Sequence, residues 1–125
     1  MLKINKLNIK KSKQIEAYGI PFGFEGHIID SILKINQKNI IYIARDDKDA
    51  DIIKSSLLFF NSKIQVLNFP AWDCLPYDRS GPRLKIQSER LALLSKLCDY
   101  DSSKKVIIST VNAVTQKVIP KKHLQ

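Results

Sequence analysis

Three short apolar runs constrain the fold most: Asn39–Ala44 (NIIYIA), Lys63–Phe69 (KIQVLNF) and Lys105–Ser109 (KVIIS). Asn39–Ala44 and Lys105–Ser109 are continuous rather than alternating, the pattern of a strand buried on both faces of a parallel sheet. Stretches with helical spacing separate the runs. Over Glu25–Gln37 the apolar positions are Ile28, Ile29, Ile32 and Leu33. The next helix starts at Asp46-Asp47, which offer N-caps and suit the helix dipole, and reaches about Phe60 with Ala50, Ile53, Leu57 and Phe60 on one side. Ile86–Leu97 puts Ile86, Arg90, Leu93, Leu94 and Leu97 on a shared side, and Asn112–Val118 is a short helix stopped before Pro120. Alternating strands and helices predict an α/β fold: a three-layer lobe, a parallel sheet with helices on both faces and right-handed crossovers.

A length of 125 residues fits one domain with one core. No apolar run approaches the roughly 20 residues of a membrane helix, so no membrane partner is expected. The basic start, MLKINKLNIKKSKQIE, lacks the apolar stretch and cleavage site of a secretory signal. Residues 1–16 are therefore expected to be a basic arm or edge segment, and 17–125 the α/β lobe. Cys74 and Cys98 have no metal-like spacing and read as free thiols of a reducing cytoplasm. The net charge of +9 admits a nucleic-acid partner. Its lysines are scattered, however, and accompany much Ile and Asn, which fits coding bias better.

Between the second and third runs lies Phe69–Arg90, FPAWDCLPYDRSGPRLKIQSER, with the only Trp of the chain. Its prolines exclude continuous helix or central strand, and Trp72, Leu75 and Tyr77 must pack against something. Trp72, Tyr77, Arg79, Arg83 and Arg90 are residue types favoured at interfaces and on nucleic-acid platforms, and form the candidate contact set. The plainer reading has Trp72 and Tyr77 anchoring the loop and Arg90 tying loop carboxylates to the helix. Arg79 is then the residue most available to a partner. Asp73 and Asp78 are expected to cap the loop or pair with Arg79 and Arg90 rather than do acid–base chemistry. Cys74 has no evident His partner, since only His27 and His123 exist.

A phosphate-binding loop is the other candidate. Gly19-Ile20-Pro21-Phe22-Gly23-Phe24-Glu25-Gly26 precedes a helix, as such a loop would. It lacks the Gly-Lys-Ser/Thr ending, Pro21 removes an amide, and Glu25 would repel a triphosphate. His27 is mostly neutral at pH 7 and cannot replace the lysine. Gly19, Gly23, Glu25 and Gly26 therefore read as a structural loop with no cofactor. Asp46, Asp47, Asp49 and Asp51 read as helix caps and a solvated face rather than metal ligands. No catalytic and no metal residue is assigned.

The run Phe69-Pro70-Ala71-Trp72-Asp73-Cys74-Leu75-Pro76-Tyr77-Asp78-Arg79, then Pro82, then Arg90-Leu91, closely resembles the start of the bacterial transcription-repair coupling factor family. The likeness extends from about Ala17 to Pro120 and includes Thr110–Val118. It implies a degenerate helicase-like lobe, with the shape of a P-loop ATPase but no working phosphate loop. It also implies transcription-coupled nucleotide excision repair, in which the whole protein is an ATP-driven DNA translocase. That protein releases stalled RNA polymerase and recruits the A subunit of the excision nuclease. Its remaining domains, RNA polymerase, that subunit and DNA are the implied partners. The chain stops just past a helix with no closing strand, which reads as the first lobe of a larger module: a non-catalytic scaffold. The alternatives are a stand-alone basic nucleic-acid-binding module or the remnant of a split gene.

Overall fold

The computed structural model describes residues 14, 16–36, 38–74, 79, 81–98 and 103–123. The expected arm over 1–16 falls almost wholly outside these residues, as do Leu75, Tyr77 and Asp78 of the loop. Among these residues the elements are α1 (Glu25–Asn36), β1 (Ile40–Ala44), α2 (Asp47–Phe60), β2 (Gln65–Phe69), α3 (Leu84–Cys98), β3 (Lys105–Thr110) and α4 (Val111–Thr115), followed by a 3-10 turn at Lys121–His123.

The strands form one parallel sheet in the order β1-β3-β2. From β1 the chain crosses past the position of β3 to reach β2, then returns. Right-handed crossovers running in opposite directions place their helices on opposite faces. The packing follows that rule. One face of the sheet, with Ala44, Val106 and Ile108, packs with Ile29 and Leu33 of α1 and Ala50, Ile53 and Leu57 of α2. The other gathers Phe69 and Ile107 with Leu93 of α3 and Ala113 of α4. The expected three-layer α/β lobe is therefore observed.

Only β3 is buried along its whole length. Here β1 departs from expectation. Its register pairs Ile41 with Ile107 and Ile43 with Ser109, so both isoleucines point to the α3–α4 side. There they are 66% and 53% exposed. The expectation of a strand covered on both faces fails for β1 because α3 lies over β2 and the short α4 leaves the β1 flank open. Leu97 of α3, expected on the inner side, is likewise 40% exposed, while Arg90 and Leu93 are buried.

The start of α2 matches the sequence. Asp46 adopts extended backbone at the N-cap, and its Oδ1 accepts from the Asp49 amide at 2.8 Å. Asp49 Oδ2 turns back to accept from the Arg45 amide at 3.1 Å. The first bond satisfies an amide that a helix start otherwise leaves open, and the second ties the residue before the cap to the first turn.

Candidate functional site

The glycine loop before α1 is built around a tight turn. The Phe24 amide donates to Pro21 O at 3.0 Å, and Gly23 occupies the third turn position with φ of 80°. A positive φ there is the type II requirement that glycine meets without strain. The amides of His27 and Ile28 both donate to Phe24 O, at 3.1 and 3.3 Å. The loop is bolted to α2 rather than left open: Ser56 Oγ donates to Gly23 O at 2.7 Å. Gly26 lies against the α2 backbone so closely that a Cβ built on it would sit 2.3 Å from Ser56 Oγ and 2.7 Å from the Leu57 nitrogen. Glu25 begins α1 with its carboxylate at the positive end of the helix, and Oε2 is buried without a hydrogen-bond partner among the described residues. Burial, and then the charges of Asp49 and Glu25, push the Tyr42 phenol upward, so the Glu25 field reaches β1.

Around the Trp-Pro loop the structure draws a different centre. Arg90 projects from α3 into the interior and is only 2% exposed. Its Nη1 donates to Pro70 O at 2.6 Å and to Gln116 Oε1 at 3.4 Å, and its Nη2 donates to Lys117 O at 3.4 Å. The guanidinium lies over the rings of Phe69 and Trp72, 4.1 and 4.3 Å from their centroids. A planar cation with several donors can stack on rings and bond in its own plane at once. Burial lowers the Arg90 pKa from the ordinary guanidinium value. Gln116 completes the network by accepting from the Trp72 amide at 2.7 Å. One side chain of α3 thus ties the end of β2, the loop and the end of α4 together.

The candidate contact set divides accordingly. Arg90 and Trp72 come together, but Arg90 serves backbone carbonyls and rings instead of the loop carboxylates expected for it. Its inward position takes it out of the exposed contact set. Asp73 takes Arg83: Arg83 Nε stands 2.7 Å from Asp73 Oδ2, and the Arg83 amide donates to Asp73 Oδ1 at 3.1 Å. That closes the loop at its base, where Arg79 or Arg90 was the expected partner. Arg79 is exposed, Arg83 is exposed outside its carboxylate contact, and Tyr77 lies outside the described residues. Cys74 and Cys98 are free, half-buried thiols. The ring of His27 packs against Phe24 and Phe60. Among the described residues no cluster of three metal-binding side chains occurs, and no helix is long and apolar enough to cross a membrane.

Gln116 was not identifiable as functional from the sequence, since a lone glutamine after a short helix carries no signal of a contact 26 residues away. A groove of about 340 Å³ opens beside this network. Trp72, Arg90, Leu91 and Leu94 form one wall, and Lys117–Pro120 forms the other.

Comparison with known proteins gives one consistent result. The chain is 31% identical over 93 residues to the transcription-repair-coupling factor of Rickettsia bellii, covering 74% of this chain and 8% of that protein. It is 31% identical over 96 residues to the same factor of Rickettsia prowazekii, covering 76% and 8%. Against the factor of Haemophilus influenzae it is 29% identical over 103 residues, covering 82% and 9%. The chain therefore spans less than a tenth of the length of these relatives. No family model and no solved structure matches it.

Proposed function

From the premise that three quarters of this chain is similar to transcription-repair-coupling factors, we propose that it is a non-catalytic scaffold lobe of such a factor. Its role is in transcription-coupled nucleotide excision repair in the cytoplasm. There the whole protein would release stalled RNA polymerase, recruit the excision nuclease and move on DNA with ATP. The lobe itself supplies shape: it holds the neighbouring domains of the factor.

The observation that carries this reading is the loop before α1. A triphosphate cradle needs free amides, a cation and room at a helix start. This loop spends the amides of Phe24, His27 and Ile28 internally and fastens Gly23 to Ser56. It also places the Glu25 carboxylate at the helix start. With the Glu25 charge close by, a nucleotide phosphate would meet repulsion rather than a clamp. Calorimetry with magnesium and ATP on the 125-residue chain is expected to show no heat of binding. Saturable, magnesium-dependent binding would overturn the reading.

Nucleic-acid binding through exposed Arg79 and Arg83 is the second reading, supported by the net charge of +9. It requires affinity for DNA that falls steeply with salt.

A further inference from the structure

We propose that the groove between α3 and Lys117–Pro120 is a docking site for an acidic, amphipathic protein segment. The inference does not depend on the scaffold reading above. Two observations carry it. The groove is apolar where a guest would rest: Leu91, Val118 and Ile119 are 41%, 53% and 43% exposed, and the Trp72 ring lines the same space. The charged residues of its lining, Arg90 and Lys117, are both basic. Lys117 lines it, Lys121 and Lys122 follow Pro120 on the exposed 3-10 turn, and none of the lining residues is acidic.

Shape and charge together select the occupant. A nucleic-acid backbone needs polar donors along its path and stacking faces for its bases. Here the aliphatic lining instead suits one or two buried leucine- or phenylalanine-sized side chains, the anchor of a helix laid in a groove. The flanking lysines suit Asp or Glu on either side of that anchor and steer its approach. The volume of about 340 Å³ admits side-chain anchors rather than a folded domain. The groove is also firm. Its wall is held by Arg90 bonding to Pro70 and Lys117, so a guest does not have to order that wall before binding.

The chain has one tryptophan, Trp72, and it reports on the groove directly. The probe is a synthetic helical peptide of about 14 residues, four turns, with leucines at i, i+4 and i+7 and glutamates elsewhere. The control has lysine in place of each glutamate. The expected result is a saturable blue shift of Trp72 emission with the acidic peptide and none with the basic one. The affinity should weaken several-fold between about 50 and 300 mM salt. Val118→Asp and Ile119→Asp, both surface changes, should each lower affinity about tenfold with unchanged circular dichroism. Lys121→Glu with Lys122→Glu should reduce the salt dependence. No shift, or an equal shift with the basic peptide, overturns the proposal. A shift produced by oligothymidylate in its place assigns the groove to nucleic acid and overturns it. A shift that depends only on protein concentration assigns it to a second copy and overturns it too.

Discussion

Arg90 shows how much one residue can organise. It is charged and sits on a helix side shared with leucines, where a cation is normally excluded. It is tolerated because its donors meet carbonyl oxygens and its faces meet two aromatic rings. Lysine offers one compact ammonium and no plane, so Arg90→Lys should cost about 2 kcal/mol in urea unfolding. Asp30 is the second instructive residue. It is 2% exposed, and its Oδ1 accepts from Asn61 Nδ2 at 2.7 Å, joining α1 to the end of α2. Burial pushes its pKa up, but the hydrogen bonds from Lys34 and Asn61 and the Lys34 charge outweigh burial and leave it lowered. A carboxyl held below its unfolded value stabilises the fold above that value, roughly pH 4, and loses this contribution as pH falls through the folded pKa. Asp30→Asn should therefore flatten the acid limb of a stability–pH curve without altering its shape near neutrality.

At the scale of elements, the α1–α2 contact is a close one at Gly26. It depends on a missing side chain, because Gly26 lets α1 approach the α2 backbone. Gly26→Ala would favour an isolated helix by about 1 kcal/mol. In the lobe it should instead destabilise by about 2 kcal/mol, since overpacking forces the helices apart. Trimming Ser56 to alanine should not rescue it, because the Leu57 nitrogen and the Ser56 carbonyl carbon stay in place. Thermal melts of the single and double variants check this. The start of α2 makes a separate case. Asp46→Ala removes the acceptor for the Asp49 amide, so hydrogen exchange there should quicken while β3 amides keep their protection.

On the scale of the whole molecule, the two faces of the sheet are unequally finished. One face is closed by α1 and α2, whereas Ile41 and Ile43 of β1 and Val111 and Val114 of α4 remain exposed on the other. An edge strand with exposed apolar residues invites association. Replacing Ile41 and Ile43 together by lysine should reduce concentration-dependent sedimentation and leave the unfolding midpoint nearly unchanged. The layered α/β fold was legible in the sequence, since short apolar runs and helical spacing are local signals. The open flank was not, because an edge strand and a central strand carry similar residues. NIIYIA and KVIIS read alike, yet only the second lies between two neighbours.

Local chemistry sufficed for the elements, for the capping role of Asp46 and for a loop before α1 without the residues of a phosphate site. Each depends on residues a few positions apart, whose interactions the backbone geometry already dictates. Strand order, the inward turn of Arg90, its link to Gln116, the pairing of Asp73 with Arg83 and the apolar groove were decided only on folding. The side-chain links among them join residues 10 to 44 positions apart, and such contacts exist only once the crossovers have set the helices on their faces.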